Sequence, residues 1–370
     1  MSLSLAEDIA DPVADPAHMR RIYVDHTHLG RHVTGLERIT LELFSREALA
    51  PLDIIPITAR GRSGMVARQT FGLPWAAAAH REALVLCPGF PPSLLLMLFG
   101  PRVVPYIHDL FLITRTADLN ARARAYMAPS FRAAVAHLPR FLVNSAATGD
   151  ELRRFCRPDA IIELYRPRVR NVFALTSEGR AARTGSALRL VALGTTEPRK
   201  NLRAAAAILT ELRAGAFPDA TLAVIGRPGW DAAAAATLAA TPGVVMHGYQ
   251  EADAVRGILH GADMLITTAH DEGLGLPLLE AQYAGLQVVA PKKPVFAEAL
   301  GASGLFIDPA APDAAAGAIT AWTRGPDWRA RSMAAAADNL ARWNAAADQD
   351  RVRVIAMLAR LSAGPGRAPC

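Results

Sequence analysis

The sequence has few cysteines and no long apolar run. Its 370 residues include three cysteines, Cys87, Cys156 and Cys370, which are odd in number and widely spaced. This excludes a disulfide framework and a cysteine-based zinc site, and it favours a reducing compartment. The most apolar run, residues 93–99, is far shorter than the ~20 residues of a membrane-spanning helix. Residues 1–17 are acidic and unlike a signal peptide, so we expect a cytoplasmic protein.

Lysine is also scarce, since it provides three of the 40 basic residues. An Arg- and Ala-rich composition is typical of a GC-rich genome. The basic excess lies in one half, because residues 1–185 hold 23 basic and 17 acidic residues, whereas residues 186–370 hold 17 of each. A basic half favours contact with an anionic surface. Arg-rich coding and an anionic partner both account for the charge, and the sequence leaves both open.

Hydrophobic residues form 51% of the chain and charged residues 20%, so a sizeable core can form. The length predicts two domains at ~150 residues each. Short β-rich runs alternate with helical stretches, which predicts parallel sheets covered by helices on both faces. Predicted strands of the first unit are 21–25, 84–86, 103–107 and 141–143, and those of the second are 188–193, 222–225, 244–246, 264–267 and 288–289. The first amphipathic helix is predicted over residues 36–48.

The alternation weakens between about residues 157 and 187, which contain prolines and several arginines, and this is typical of a linker. We therefore predict a fold of class α/β with two domains joined by this linker. Open parallel sheets bind ligands beyond the carboxyl ends of their strands, so functional residues should follow the strands. The predicted units are an N-terminal extension 1–20, a Rossmann-like domain 21–170, a linker 171–187, a second Rossmann-like domain 188–345, and a C-terminal helix 346–370 that packs back on the first domain.

The most informative segment is residues 271–281, which follow a predicted strand and hold two glycines and two glutamates. Gly273 and Gly275 allow a backbone to approach a ligand closely. A helix that begins there directs free N–H groups at the loop, which favours an anion. Glu272 and Glu280 add carboxylates that suit a polyol. The segment thus predicts a ligand that is part phosphate and part polyol, although a bare Gly-x-Gly turn lacks the third glycine of the dinucleotide fingerprint.

Glu272 and Glu280, within Glu-Gly-Leu-Gly-Leu-Pro-Leu-Leu-Glu-Ala, resemble the E-x7-E motif of retaining glycosyltransferases of the GT-B fold, most of all family 4. Residues 284–289 and 298–309 resemble that family too. The resemblance implies two Rossmann-like domains with parallel sheets facing a central cleft, the first for the acceptor and the second for a nucleotide-sugar donor. It implies that Glu272 holds sugar hydroxyls and Glu280 the ribose. The implied donor-binding backbone is Gly273, Leu274, Gly275 and Leu276.

Two further segments of the second unit resemble the family's donor site. Residues 194–202 place Arg199 and Lys200 side by side at a helix start, where a guanidinium fork and an ammonium can neutralise phosphate. The resemblance implies that they hold the donor diphosphate. Gly226 and Arg227 begin a segment, Gly-Arg-Pro-Gly-Trp, which resembles mannosyltransferase members and favours GDP-mannose as the donor.

The first unit resembles the family more weakly. Residues 105–110 resemble a strand that ends in His-Asp, which implies that His108 lies near the reacting carbon. Ser145 can also cap the helix that follows it. Residues 164–167 lack the family's Asn-Gly-Val-Asp type turn, so the acceptor or hinge side is expected to differ. The implied acceptor or cleft residues are Gly35, Thr34, Asp109, Asn144 and Ser145.

Three features have competing interpretations. Residues 348–350, Asp-Gln-Asp, match the metal motif of another transferase fold, but no strand precedes them, so we interpret them as a solvated helix face. His26, His28 and His32 have no further ligand at metal-binding spacing, and we interpret them as polar loop residues near an acceptor. The Arg-rich residues 153–170 lack the interleaved aromatics of a nucleic-acid site beyond Phe155 and Tyr165, and we interpret them as surface, with contact to a membrane or lipid phosphate as the alternative.

The resemblance implies a retaining hexosyltransferase that moves a sugar from a nucleoside-diphosphate sugar to a saccharide or polyprenyl-diphosphate-linked acceptor in cell-surface polysaccharide synthesis. Its main catalytic task would be to stabilise charge on the leaving diphosphate. No cofactor, no metal and no nucleic-acid partner are expected, and the basic half predicts peripheral contact with an anionic inner membrane face. A non-catalytic nucleotide-sugar-binding partner subunit of the same fold and a nucleotide-sugar epimerase remain as alternatives.

Overall fold

The computed structural model describes residues 21–30, 35–116, 123–179 and 187–363. The predicted N-terminal extension, Thr34, His32 and residues 180–186 of the predicted linker lie outside these ranges.

The first domain is built on a sheet of six parallel strands. These are β1 (Ile22–Asp25), β2 (Ile54–Ile57), β3 (Leu84–Cys87), β4 (Val103–Ile107), β5 (Arg140–Val143) and β6 (Ile161–Leu164). Their order across the sheet is β2-β1-β3-β4-β5-β6. β1, β3 and β4 are buried along their whole length, as the central strands of a two-sided parallel sheet must be.

Helices cover both faces of this sheet. They are α1 (Gly35–Phe44), α2 (Gly61–Ala67), α3 (Leu73–Ala79), α4 (Phe111–Thr114), α5 (Ala128–His137) and α6 (Ala146–Leu152). A π-helical turn at Arg68–Gly72 joins α2 to α3, a 3-10 segment at Leu96–Arg102 precedes β4, and a second π-helical turn at Ala123–Met127 precedes α5. α3, α5 and the 3-10 segment pack on one face, whereas α1 packs on the other.

The second domain repeats the plan. Its strands are β7 (Arg189–Leu193), β8 (Thr221–Ile225), β9 (Val244–Gly248), β10 (Met264–Ile266), β11 (Gln287–Pro291) and β12 (Gly304–Ile307). They are parallel and lie in the order β12-β11-β10-β7-β8-β9. The helices are α7 (Leu202–Ala214), α8 (Ala232–Ala240), α9 (Ala252–Gly261), α10 (Leu276–Ala281), α11 (Pro294–Leu300) and α12 (Pro312–Trp322), with 3-10 turns at Pro198–Lys200, Gln282–Ala284 and Gly301–Ser303.

The last helix, α13 (Trp328–Ala363), belongs to both domains. Its first half places Leu340 and Trp343 in a core of the second domain. Its second half places Val354 and Leu358 in a core of the first domain. The helix therefore begins well before residue 346, and one rigid element connects the two domains.

The two parallel sheets confirm the α/β class. The sequence did not predict β2, β6 or β12. β2 contains Pro56, which an edge strand tolerates because one side needs no ladder hydrogen bonds. β6 lies inside residues 157–187, where the strand–helix alternation weakens. The neighbouring arginines and prolines made this stretch resemble a linker, so the strand was not predicted. Within the described residues, no helix combines the length and the apolar character needed to cross a membrane.

Candidate functional site

The turn after β7 holds two cations at the cleft. Its backbone is fixed by the end of β10, because the Thr268 hydroxyl donates to the Asn201 carbonyl at 2.8 Å and the His270 N–H donates to the Arg199 carbonyl at 2.7 Å. Asn201 takes a left-handed conformation, with φ of 48°, between the 3-10 turn and α7. The chain therefore reverses sharply just after Lys200.

Both cations meet the same carboxylate. The Lys200 ammonium donates to Glu272 Oε2 at 2.6 Å, and a guanidinium N–H of Arg199 donates to the same oxygen at 3.3 Å. Arg199 also donates to Glu197 at 2.7 Å. Burial favours a lower pKa for Arg199, but the carboxylates of Glu272 and Glu197 outweigh it and raise the pKa above its ordinary value. Arg199 therefore keeps its charge although the site is half-buried.

The loop between β10 and α10 touches the first domain. A side-chain carbon on Gly273 would lie 2.5 Å from the His108 carbonyl oxygen, so only glycine fits there. Asn144 at the end of β5 bridges the two, because its amide donates to the His108 carbonyl at 2.7 Å and to the Gly273 carbonyl at 3.2 Å. The phenyl ring of Phe111 in α4 lies 5.5 Å from the Arg199 guanidinium carbon. The cleft is closed at this point.

His108 and Asp109 at the end of β4 have shifted pKa values. Burial lowers the pKa of His108 to about 4, although its hydrogen bond to the Pro88 carbonyl at 2.7 Å opposes the shift. The imidazole is therefore neutral at pH 7, with the proton on Nε2. Burial raises the pKa of Asp109 to about 6, against a hydrogen bond from the Phe111 N–H and the charge of Arg199. Both residues line a cavity of about 330 Å³ with Phe90, Phe111 and Phe131 among its walls.

Glu280 is the second carboxylate of the cleft. It lies in α10, which follows Gly275 in a left-handed conformation with φ of 80°. The Glu280 side chain is 3% exposed and pairs with Arg38 of α1 in the opposite domain. Burial raises its pKa, and Arg38 opposes that shift. Arg38 was not predicted as a site residue, and its only sequence signal is its place three residues after Gly35.

A cavity of about 1080 Å³ lies between the domains beside this pair. Its walls include Glu280, Gly226, Tyr249 and Arg38. A side-chain carbon on Gly226 would lie 2.0 Å from the Gly194 carbonyl oxygen, so the turn after β8 packs directly on the turn after β7. The Arg227 guanidinium carbon lies 4.9 Å from the centre of the Tyr249 ring at the cavity edge.

The structure brings most of the predicted residues to one cleft, but not all of them. The Ser145 hydroxyl is buried and accepts the Thr148 N–H at 3.1 Å, which confirms the predicted helix cap and turns this group away from a ligand. Gly35 begins α1, and a side-chain carbon there would meet nothing within 4 Å. Leu274 lies in the core, whereas Leu276 packs against it.

The interpretation of residues 348–350 as a solvated helix face is wrong for Asp350, whereas the surface interpretation of residues 153–170 holds for every arginine there except Arg166. Asp350 is fully buried, where Arg166 donates to it at 2.8 Å, so it does not belong to a solvated helix face. Arg166 links β6 to α13 and is not plain surface, whereas the nearby Arg168 pairs with the half-exposed Asp348. The sequence could not anticipate this, because the partners lie more than 180 residues apart.

The first histidines lie inside the first domain. His26 contacts the Phe44 carbonyl at 3.1 Å, and His28 contacts the Thr40 hydroxyl at 3.0 Å. Both lie in the loop after β1 and are buried rather than exposed, and their place near an acceptor stays a prediction. In the part of the chain that the structure describes, no cluster of His, Cys, Asp or Glu could hold a metal ion.

Comparisons with known proteins agree with this architecture. Residues 182–339 match the family model of glycosyl transferases group 1. No curated protein sequence matches the chain closely enough to count as a relative.

Solved structures share the whole two-domain fold. Sucrose-phosphate synthase from Thermosynechococcus elongatus superposes with a TM-score of 0.70 at 13% identity, covering 94% of this chain and 100% of that one. WaaG, a glycosyltransferase involved in lipopolysaccharide biosynthesis, gives 0.60 at 17% identity, covering 93% and 100%. Anabaena HepE in complex with UDP and glucose gives 0.61 at 14% identity, covering 92% and 100%. The chain therefore has the GT-B fold of two Rossmann-like domains, and the part of it that contains Arg199, Lys200, Glu272 and Glu280 matches the glycosyl transferases group 1 family.

Proposed function

We propose that the chain is a glycosyltransferase whose donor is a nucleoside-diphosphate sugar. The observation that carries the proposal is the convergence of Arg199 and Lys200 on Glu272, in the loop that touches His108 of the opposite domain. This cluster lies within the segment that matches the glycosyl transferases group 1 family. A solved structure of the same fold contains UDP and glucose, which supports a nucleotide-sugar donor.

The two cations would stabilise the leaving diphosphate. Negative charge develops on the β-phosphate as the bond to the sugar breaks, and fixed cations in a half-buried site stabilise it without reorganisation. Arg199 and Lys200 would take the phosphate oxygens in place of Glu272 Oε2. The freed Glu272 carboxylate could then accept hydrogen bonds from the sugar hydroxyls, and Glu280 could accept them from the ribose in the larger cavity. The closed contact at Gly273 would exclude water that hydrolyses the donor.

His108 would act at the sugar as a neutral group. Its pKa of about 4 means that it carries no charge at pH 7. It would therefore contribute hydrogen bonding and shape beside the reacting carbon, whereas Arg199 and Lys200 supply the positive charge. Asp109, with its pKa near 6, lies beside it and would be the group most sensitive to pH.

We further propose a retaining hexosyl transfer of the family 4 type, with GDP-mannose as the donor. The Gly-Arg-Pro-Gly-Trp turn after β8 supports this choice, since it packs on the diphosphate turn and borders the larger cavity. The acceptor would be a saccharide or a polyprenyl-diphosphate-linked saccharide in cell-surface polysaccharide synthesis. The protein would be cytoplasmic, with peripheral contact at an anionic membrane face that its basic first half supports.

Calorimetry with GDP, UDP, ADP and dTDP tests the donor site, followed by nucleotide-sugar hydrolysis and by NMR of the anomeric product. We expect one nucleoside diphosphate to bind tightest, and its sugar to be transferred or slowly hydrolysed with retention. Binding without any hydrolysis or transfer would favour the non-catalytic partner subunit, and isomerised nucleotide sugar would favour an epimerase. No binding of any of the four would contradict the donor assignment.

In this proposal Arg199 and Lys200 neutralise the diphosphate in place of a metal ion, so removing metal ions with a chelator tests their role. We expect 5–10 mM EDTA, roughly a hundredfold above any trace metal, to leave transfer nearly unchanged, because Arg199 and Lys200 already supply the charge that Mg²⁺ gives other transferases. Activity that disappears with EDTA and returns with Mg²⁺ or Mn²⁺ would contradict the assigned role of these cations.

A further inference from the structure

Large apolar side chains are exposed together on the first domain. Phe71 is 65% exposed, Trp75 76%, Leu94 60% and Leu98 78%, and Leu95 beside them is 44% exposed. Single exposed apolar residues are normal, but a cluster that includes a tryptophan marks an interaction surface. We call these five residues the apolar face.

The apolar face belongs to one layer of the domain. Leu73 and Ala77 of α3 and Leu96 of the 3-10 segment point into the same core on one side of the first sheet. Arg102 ties the two elements together, because its guanidinium donates to the carbonyls of Ala77 at 3.0 Å and His80 at 2.9 Å. Since both elements bury their inner sides against the same sheet face, their exposed side chains lie on the same outer surface.

The basic excess of the chain lies in the same segment. Residues 60–140 contain ten arginines and three acidic residues, whereas the rest of residues 1–185 contain 13 basic and 14 acidic residues. The whole excess of the first half therefore comes from the segment that contains the apolar face. Arg62, Arg68 and Arg81 are exposed around α2 and α3.

The apolar face also adjoins the cavity beside His108. Pro91 and Pro92 line that cavity, and Leu94 and Leu95 follow them directly in the chain. The walls of the cavity are mainly apolar. An acceptor with a lipid portion could therefore reach His108 from this side without crossing a polar surface.

We propose that the apolar face, framed by Arg62, Arg68 and Arg81, is the surface by which the first domain lies on an anionic lipid bilayer. Aromatic and leucine side chains enter the boundary between headgroups and acyl chains, while arginines pair with lipid phosphates. A second protein surface would gain little from this excess of arginine over acidic residues, whereas an anionic bilayer complements both features. The proposal deepens the proposed membrane contact and rests on it, since it names the surface and orients the cavity beside His108 toward the lipid.

Vesicle co-sedimentation of the full chain tests the surface. The variant Phe71→Gln/Trp75→Gln/Leu98→Gln removes apolar groups, and Arg62→Gln/Arg68→Gln/Arg81→Gln removes charge. Matched controls are Val245→Gln/Met246→Gln/Val352→Gln, which changes three exposed apolar residues elsewhere, and Arg203→Gln/Arg324→Gln/Arg360→Gln, which removes three exposed arginines elsewhere. Thermal unfolding and nucleoside diphosphate binding are measured on every variant, so that folding and the donor site are monitored independently of lipid.

We expect the parent to bind phosphatidylglycerol vesicles at low salt, and to bind phosphatidylcholine vesicles far more weakly. The apolar variant should bind roughly tenfold more weakly or worse, and each arginine removed should weaken binding roughly fivefold at low salt. Both controls should bind like the parent. The fluorescence of Trp75 should shift to the blue on adding anionic vesicles, and this shift should be lost in Trp75→Gln.

Three results would overturn the proposal. One is equal binding by the two test variants and their controls, which would place the lipid contact elsewhere. Another is no vesicle binding by the parent, which would remove the membrane contact while nucleotide binding still reports on the transferase. The third is a lipid-free dimer in the parent that becomes a monomer in the apolar variant, because the face would then be an interface between two copies.

Discussion

At the scale of single residues, Arg199 and Lys200 share one carboxylate oxygen of Glu272 and Arg199 also pairs with Glu197, so two carboxylates balance the two cations before any ligand arrives. For the proposed donor to bind, its diphosphate would therefore have to replace Glu272 as the partner of both cations. The exchange is favourable because a diphosphate offers several anionic oxygens to the Arg fork and the Lys ammonium at once.

We expect Arg199→Ala and Lys200→Ala each to weaken binding of the nucleoside diphosphate roughly ten- to a hundredfold, since a charge-assisted hydrogen bond contributes about 1.5–3 kcal/mol. Calorimetry measures the dissociation constants. Arg203→Ala and Lys292→Ala, which remove exposed cations outside the cleft, serve as controls. Unchanged affinity in both test variants would contradict the assignment.

The raised pKa of Asp109 predicts that the free energy of unfolding depends on pH. Burial raises its pKa from 3.8 to about 6 in the folded chain. The folded state therefore holds the proton more tightly than the unfolded state, and this contribution to stability is full below pH ~4 and is lost as the pH rises through ~6.

We expect Asp109→Asn to be more stable than the parent at pH 8 by roughly 2–3 kcal/mol, and equal to it near pH 4, because the amide is never ionised. Urea unfolding at several pH values measures the difference. Asp219→Asn, which changes an exposed carboxylate, should show no such trend. A difference between Asp109→Asn and the parent that does not change between pH 4 and pH 8 would show that Asp109 has an ordinary pKa.

The place of a residue at the cleft could be predicted from the sequence where it depends on a local pattern. Arg199, Lys200, Glu272 and His108 follow strands within short motifs. Arg38 and Phe111 could not be found that way, because each acquires its partner only when the two domains pack together. Ion pairs between distant segments leave no periodicity in the sequence.

At the scale of elements, the loop after β10 is fitted to the end of β4. Gly273 has no room for a side chain against the His108 carbonyl. We expect Gly273→Ala to force this contact apart and to lower transfer activity at least tenfold, since a misplacement of ~1 Å at a reacting centre can cost about a hundredfold.

The control is Gly257→Ala in α9, where a side-chain carbon meets nothing within 4 Å. That change should leave activity intact and should stabilise the helix by up to ~1 kcal/mol. Steady-state rates and thermal unfolding give both readouts. Full activity in Gly273→Ala would mean that the contact opens during catalysis anyway.

The central strands were predictable, and the edge strands were less so. β4 is five consecutive buried residues, and the sequence pattern predicted its bounds. β2 and β6 lie at opposite edges of the same sheet, where partial exposure and nearby proline weaken the apolar pattern. The strands that β2 and β6 pair with are distant in the chain, so the local sequence gives only a weak indication that these segments are strands.

At the scale of the whole molecule, contacts with α13 and α11 hold the two domains together. Arg166 pairs with the fully buried Asp350 and approaches Glu298 of α11 at 3.4 Å. The Glu298 carboxylate also accepts the first two N–H groups of α6, from Ala146 at 2.8 Å and Ala147 at 2.9 Å. A helix of the first domain is thus capped by a carboxylate of the second.

We expect Asp350→Ala to lower the free energy of unfolding by about 3–5 kcal/mol, because it leaves Arg166 without its buried partner. Asp348→Ala, two residues earlier, removes a half-exposed pair with Arg168 and should cost less than about 1 kcal/mol. Chemical denaturation measures both. An equal decrease in the free energy of unfolding in the two variants would show that the buried Asp350 pair stabilises the fold no more than the exposed Asp348 pair.

The two-domain path of α13 has a consequence for synthesis. The core of the first domain contains Ile22 and Val24 from β1, yet it also contains Val354 and Leu358 from the far end of the chain. A growing polypeptide can complete neither domain before α13 leaves the ribosome, because the first half of α13 supplies Leu340 and Trp343 to the second domain and only its second half supplies Val354 and Leu358 to the first. The apolar groove that receives Val354 and Leu358 therefore stays open until after the second domain has received Leu340 and Trp343, so the domain that comes first in the chain is finished last.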